Sequence, residues 1–107
     1  MSDARALYKQ GFQHFANDEV DEAIALYRQA IEADPALAIA WNGLSIALAQ
    51  KGEFDDAIAA AQKLVELEPD DALSHTNLSR ILMQSGQIPE AEDARGVAMR
   101  LQMKSQG

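Results

Sequence analysis

Residues 38–71 read AIAWNGLSIALAQKGEFDDAIAAAQKLVELEPDD, and this stretch decides the fold. Its first half spaces apolar side chains three and four residues apart, which is typical of a helix. A turn around Gly52 follows, and a second helical pattern ends at Pro69. β-Branched residues do not alternate with polar ones, so no strand is expected. The stretch therefore predicts two helices joined by a short turn.

The same pattern occurs once before and once after this stretch. A step of 34 residues separates Pro35 from Pro69, and the same step links Ala23, Ala57 and Ala91. A period of this length indicates a stack of supersecondary units. We therefore divide the chain into repeats at 4–37, 38–71 and 72–105, and expect helices at 4–16, 20–33, 37–50, 54–67, 71–84 and 88–102.

The turn within each repeat has its own chemistry. Gly52 and Gly86 stand where a helix would end in a left-handed residue, and Asp18 takes that place in repeat one. Acidic residues or Pro89 follow each turn, and both suit the positive end of the next helix. The three turns thus support the same helix boundaries.

The repeats resemble the tetratricopeptide repeat family. The family pattern places Trp, Leu, Gly and Tyr on a first helix, Ala and Phe on a second, and Pro after it. Repeat two has Trp41, Leu44, Ala57 and Pro69 of this pattern, and places Ser45, Leu48 and Ala61 at its Gly, Tyr and Phe positions. Repeat three departs from it, with His75 in the Trp position and no closing Pro.

The resemblance covers 4–105 and implies an all-α fold. The expected architecture is a right-handed α-solenoid of three helix-turn-helix repeats with six antiparallel helices, forming one domain over 1–107. Small residues would let the two helices of a hairpin approach closely; they are Gly11, Ser45, Ser79, Ala23, Ala57 and Ala91. Trp41 is predicted to fill the core between helices.

Composition narrows the class of protein. The chain has 48% apolar residues, which is a folding composition. Its net charge of −8 argues against nucleic acid or an anionic membrane as a partner. It contains no cysteine, no apolar run of membrane-spanning length and no visible signal peptide. We therefore expect a cytoplasmic protein.

No constellation of residues predicts catalysis. The two histidines, His14 and His75, fall at positions where the family has core side chains, and we expect both to be packed in the core. Ser45 and Ser79 are interpreted as close-packing residues rather than nucleophiles, because no base can be placed beside them. We expect no enzyme activity, no cofactor and no metal site.

Acidic residues avoid the first helix of every repeat. Of the 17 acids, only Asp3 precedes the first turn, and only the boundary residue Asp71 touches a later first helix. In the family the first helices line the concave side and the second helices the convex side. The resemblance therefore implies an acidic back and an almost acid-free groove.

One stripe of the first helices corresponds to the family's ligand-facing positions. It consists of Arg5, Tyr8, Phe12, Phe15, Ile39, Asn42, Ile46, Leu73, Thr76, Arg80 and Met83. Contiguous apolar surface usually marks an interaction site. We expect a groove that binds a protein or peptide segment with apolar anchors. The alternative is that curvature buries part of the stripe as core, especially Phe15 and Ile46.

A subset of the family holds acidic tails of heat-shock chaperones with a clamp of Lys, Asn and Arg. The matching positions in this chain carry none of those clamp residues; they are Tyr8, Phe12, Gly43, Leu73 and Asn77. That co-chaperone activity is therefore not expected.

The last repeat is predicted to end the array. The apolar residues that would pack on a following repeat become Glu92 and Arg95 in repeat three. We favour a monomer. The alternative function is a structural module that forms homodimers through the groove or the open end, where Ile81, Met99 and Leu101 would leave an apolar strip.

Overall fold

The computed structural model describes residues 3–106, which form six α-helices and no strand. The helices are α1 (Ala4–Ala16), α2 (Val20–Ala33), α3 (Ala38–Lys51), α4 (Phe54–Leu67), α5 (Ala72–Gln84) and α6 (Ile88–Gln106). Three of the six predicted ranges match, the range for α3 is shifted by one residue at both ends, and the range for α5 begins one residue too early. The predicted end of α6 at 102 was wrong, because no Gly or Pro follows Gly96 before Gly107 and good helix formers continue the last turn.

The helices form two layers. Each hairpin packs α1 on α2, α3 on α4 and α5 on α6, and α2 and α4 also pack on the first helix of the next repeat. The first helices α1, α3 and α5 contact one another in turn, whereas within residues 3–106 the second helices of neighbouring repeats do not. Because one layer is closer together than the other, the α1–α3–α5 layer lies on the inside of the curve. The fold is an all-α helical repeat solenoid.

A residue with left-handed backbone conformation follows each of the first helices, as predicted. Gly52 and Gly86 both have φ 87°, and Asp18 has φ 65°. A side chain at φ above zero is disfavoured, although Asp and Asn tolerate it better than most residues. At the other end, Asp3 and Asp71 cap α1 and α5 by accepting hydrogen bonds from the N–H groups of Arg5 and Leu73 at 3.0 Å.

The small residues occupy the contact between the two helices of each hairpin. Ala23, Ala57 and Ala91 are fully buried. Ser45 is also fully buried, and the Ser79 hydroxyl donates to the Ala91 carbonyl of α6 at 2.8 Å. The close-packing interpretation of Ser45 and Ser79 is therefore confirmed, and a larger side chain would have to push the helices apart.

Trp41 is only partly buried, packed on the main core cluster rather than within it. Its indole Nε1–H donates to the Pro35 carbonyl at 2.8 Å. His75 lies one period later and does the same thing: its Nε2 is 2.7 Å from the Pro69 carbonyl. Since a carbonyl can only accept, Nε2 of His75 carries the proton in this contact. A ring N–H thus ties the start of a first helix to the preceding proline in both places.

The prediction that both histidines are packed in the core was wrong. His75 is half-buried because its ring must reach the Pro69 carbonyl at the surface. His14 is 40% exposed, and its Nδ1 lies 3.0 Å from a carboxylate oxygen of Glu19, across the first turn. Both histidines therefore join turns to helices. Ile81, expected at the open end, is instead 2% exposed within the core cluster.

Candidate functional site

The inner layer carries positive charge on a negative protein. Helices α1, α3 and α5 contain no acidic residue, but they carry four of the nine basic residues: Arg5, Lys9, Lys51 and Arg80. All 17 acids lie on the second helices, in the turns or at the caps. The formal charge of the inner helices is therefore opposite in sign to that of the rest of the chain, and the inner helices lack acids as the sequence indicated.

The predicted stripe supplies most of the exposed apolar side chains. Four of its members are large hydrophobic residues with more than 40% of their surface exposed: Phe12 (53%), Ile39 (42%), Leu73 (69%) and Met83 (42%). The other large exposed hydrophobics of the described chain are Ile88, Met99 and Met103, all on α6. Apolar surface is thus concentrated on the inner layer and along the last helix, which is where an interaction site is expected.

Within repeat one, the stripe continues into the core as a stack of aromatic rings. Phe12 lies at the surface with its ring centroid 6.2 Å from that of Tyr8. Tyr8 is half-buried and stacks on Tyr27, with centroids 5.6 Å apart and an interplanar angle of 27°. Phe15 is also half-buried against the core cluster. Tyr8 and Phe15 therefore contribute both to the packed core and to the protein surface. Of the three residues, only Phe12 is mainly exposed.

Burial affects the ionisation of both tyrosines. Burial raises the pKa of Tyr8, and burial together with the neighbouring Tyr8 raises the pKa of Tyr27 to about 12. The phenolate form is disfavoured because it would lose its hydration. Both hydroxyls therefore remain protonated at neutral pH.

Between repeats two and three, the floor of the inner layer is a hydrogen-bonded polar cluster. The Nδ2 group of Asn77 donates to Asn42 Oδ1 at 3.0 Å and to Ser45 Oγ at 2.8 Å. Ser45 Oγ in turn donates to the Asn42 carbonyl at 2.8 Å. Because Asn42 uses its side-chain oxygen on Asn77, its amide group keeps both N–H donors for another partner. Asn42 is half-buried at this seam.

Two cavities flank this cluster. One, of about 340 Å³, is lined by Ile39 and Leu73 from the stripe, with the acids Glu68 and Asp71 among its other lining residues. The second, of about 220 Å³, is lined by Ile46 and Arg80 together with Asn77 and Ile81. One opening is thus apolar with acidic neighbours, and the other has a guanidinium.

The structure places the eleven predicted residues in two groups. Six are exposed: Arg5, Phe12, Ile39, Leu73, Arg80 and Met83. Five are half-buried: Tyr8, Phe15, Asn42, Ile46 and Thr76, whose hydroxyl donates to the Ala72 carbonyl of its own helix at 3.0 Å. Sequence reasoning missed Asn77 as the residue that orients Asn42. The available signal was an Asn placed four residues from Leu73 and four residues from Ile81 on α5.

Residues 3–106 contain no helix with both the length and the apolar character needed to cross a membrane. The same residues hold no group of three or more His, Cys, Asp or Glu arranged for a metal ion.

Comparison with known proteins agrees with this architecture. The crystal structure of MamA superposes with a TM-score of 0.91 at 26% identity, covering 96% of this chain and 60% of that one. A second MamA structure gives 0.89 at 26% identity, covering 95% of this chain and 56% of that one. The chain thus spans a little under two thirds of the MamA chains.

A more distant structure shows the same fold. The first tetratricopeptide repeat domain of Spaghetti, bound to the HSP90 peptide SRMEEVD, superposes with a TM-score of 0.87 at 20% identity, covering 92% of this chain and 78% of that one. No curated protein sequence matches this chain. The family model described as tetratricopeptide repeat matches residues 8–72 and, in a second overlapping placement, residues 44–95. The chain belongs to the tetratricopeptide repeat family.

Proposed function

We propose that this protein binds a segment of a partner protein in its concave groove and acts as an adaptor, chaperone or assembly factor. The observation that carries the proposal is the concentration of exposed Phe12, Ile39, Leu73 and Met83 on helices that contain no acid. The family's fold supports a protein–protein interaction module. A cysteine-free chain is compatible with a reducing compartment, and the proposal places the protein in the cytoplasm.

The groove favours a ligand with apolar anchors and at least one acid. An apolar side chain would enter the cavity of about 340 Å³ beside Ile39 and Leu73. An acidic side chain would pair with Arg80, which has no ion-pair partner among residues 3–106, and a backbone carbonyl would accept from the Asn42 amide. Aromatic residues often dominate binding energy at such surfaces, so Phe12 is the expected hot spot at about 2 kcal/mol or more.

The test is selection of a displayed random-peptide library on the wild-type protein. Enriched peptides should combine apolar residues with an acid, and should lose binding to a Phe12→Glu, Leu73→Glu double variant. Both positions are more than half exposed, so this variant should keep its helical content and cooperative melting.

The matched control is an Ile88→Glu, Met103→Glu double variant, which changes two exposed apolar residues outside the groove. It should retain the selected peptides. If the groove variant stays folded and still binds them, or if only the α6 variant loses them, the groove is not the site.

A further inference from the structure

The outer surface of the last hairpin forms a cleft between α5 and α6. The cleft has a volume of about 540 Å³ and is lined by residues that include Arg80, Met83, Arg95 and Met99. Met99 is 51% exposed, and the Arg95 side chain is 64% exposed. The cleft shares Thr76, Arg80 and Met83 with the groove, whereas Arg95 and Met99 belong to the cleft alone.

The equivalent surface of repeat one receives a helix. Tyr27 and Ile31 stand two periods before Arg95 and Met99. Helix α3 covers them: Gly43 lies against the Tyr27 ring, and Ile31 packs with Leu37 and Ala40. Repeat two is likewise covered by α5, which packs on α4 and whose Asn77 bonds to Asn42 and Ser45 of α3. The cleft therefore has the geometry that this fold uses twice to hold a helix.

The side chains of the cleft differ in chemistry from those at the two junctions between neighbouring repeats. Its guanidinium groups, Arg80 and Arg95, replace Phe12 and Tyr27 of repeat one. Arg95 is 3.9 Å from Glu92 on its own helix, an exposed contact of the kind that contributes little. From Ala94 to Gln106 the chain carries Arg95, Arg100 and Lys104 and no acid. The end of an otherwise acidic protein is thus basic and rich in methionine.

A second copy stacked end to end does not fit this surface. The residue that meets position 27 in the first seam is Gly43, and its counterpart on α1 is Lys9. Stacking α1 of one copy on the cleft of another would place Lys9 against Arg95, and like charges brought together in an interface are unfavourable. Helices α1, α3 and α5 contain no acidic residue that could face Arg95 in place of Lys9.

We infer that the cleft lined by Arg80, Met83, Arg95 and Met99 docks an amphipathic helix of a partner protein, with apolar residues facing the methionines and an acidic residue at the position that meets Arg95. Methionine side chains adapt to varied apolar surfaces, which suits docking of a helix in trans. The acid provides a negative charge opposite Arg95. Gly43 and Asn77, which occupy the matching position on α3 and α5, carry no charge.

The probe is a synthetic peptide of residues 71–86, the helix that covers the equivalent surface of repeat two, locked as a helix by a side-chain bridge on its exposed face. One version carries Asn77→Glu and Arg80→Glu, and the other carries Asn77→Lys and Arg80→Lys. Their apolar content is identical, so the difference between them reports charge. Binding to the full chain is followed by fluorescence anisotropy.

The acidic peptide should bind at least about tenfold more tightly than the basic one, in line with the coupling of close charge pairs. An Arg95→Glu protein should reverse the preference, and a Leu73→Glu protein, changed only in the groove, should leave it intact. Equal binding of the two peptides, no binding of either at millimolar concentration, or an unchanged preference with Arg95→Glu would each overturn the inference. The deciding variant changes Arg95, which does not belong to the groove, so failure of this inference is distinguishable from failure of the proposed groove binding.

Discussion

The ring of Tyr27 on α2 lies directly against the backbone of Gly43 on α3. A methyl group on Gly43 would come within 2.9 Å of the ring carbon Cζ and 3.1 Å of Cε1. The ring cannot move away, because Gly11 on α1 limits it on another side, where a methyl group would lie 2.8 Å from Cε1. One tyrosine thus joins three helices through two positions that must lack a side chain.

This arrangement predicts a clear packing effect. Gly43→Ala gains about 1 kcal/mol in helix propensity, but overpacking costs about 1–3 kcal/mol, so we expect a net loss of up to roughly 2 kcal/mol. In a Tyr27→Leu background the same change should become neutral or stabilising, because the blocking ring is gone. Urea denaturation of the four proteins in this cycle measures the coupling. Additive effects would show that the ring and Gly43 are not in contact.

Gly96 provides the matched opposite case. It lies inside α6, where a methyl group would meet only the Arg100 guanidinium, at an ordinary distance of 3.6 Å. Gly96→Ala should therefore stabilise the protein by about 0.5–1 kcal/mol through backbone entropy alone. Thermal and urea denaturation check it. If Gly96→Ala were as destabilising as Gly43→Ala, the loss at Gly43 could not be assigned to Tyr27.

Alkaline pH should weaken the fold through Tyr27. Its pKa is raised from the usual 10.0 to about 12, so between these values the folded protein holds a proton that the unfolded chain has lost. Stability from this group is complete below pH about 10 and is lost as pH rises toward 12. Ultraviolet absorbance of tyrosinate and urea denaturation at several pH values follow the two effects.

Two variants separate Tyr27 from its neighbours in this titration. Tyr27→Phe keeps the ring and should flatten the loss of stability above pH about 10. Lys51 acts in the same direction, because its hydrogen bond and charge interaction with Asp21, at 2.7 Å, raise the lysine pKa. Lys51→Gln should change the pH dependence less, since this pair is exposed. An unchanged slope in Tyr27→Phe would refute the role of the buried hydroxyl.

Much of the fold follows from local chemistry in the sequence. The 34-residue step, the left-handed residues at Gly52 and Gly86, and the small residues between paired helices each act within one repeat, so the pattern of one repeat predicts the next. The family assignment adds the layer order. These features explain why helix positions were predicted to within a residue except at the end of α6.

The parts that could not be predicted depend on contacts between repeats. Asn77 meets Asn42 and Ser45 across more than thirty residues of sequence, and that pairing depends on the crossing of α3 and α5. Likewise, Ile81 faces the core rather than the open end because of how α5 is rotated on α4. Whether Tyr8 and Phe15 lie in the core or at the surface also depended on contacts between helices: Tyr8 stacks on Tyr27, and Phe15 packs against the core cluster.

The groove should not bind an acidic heat-shock peptide. The five positions matching the chaperone clamp hold no cation, and three are committed to structure: Tyr8 stacks on Tyr27, Gly43 lies under that ring, and the Asn77 amide bonds to Asn42 and Ser45. A terminal carboxylate would lose hydration without gaining a charged partner there. Calorimetric titration with the peptide SRMEEVD should show no measurable heat of binding. Micromolar affinity that disappears when the last Asp is removed would contradict this.

The protein should be a monomer over a wide range of concentration. End-to-end stacking would bring Lys9 of one copy to Arg95 of the next, and the net charge of −8 adds repulsion between copies. The exposed apolar residues of the groove, such as Phe12, and of α6, such as Met99, are the surfaces through which copies could still associate. Light scattering at several concentrations and salt levels measures the mass. A dimer at all concentrations would favour a structural oligomerisation role. If Met99→Glu then restored the monomer while Phe12→Glu did not, the α5–α6 cleft would be the dimer interface rather than a site for a partner helix.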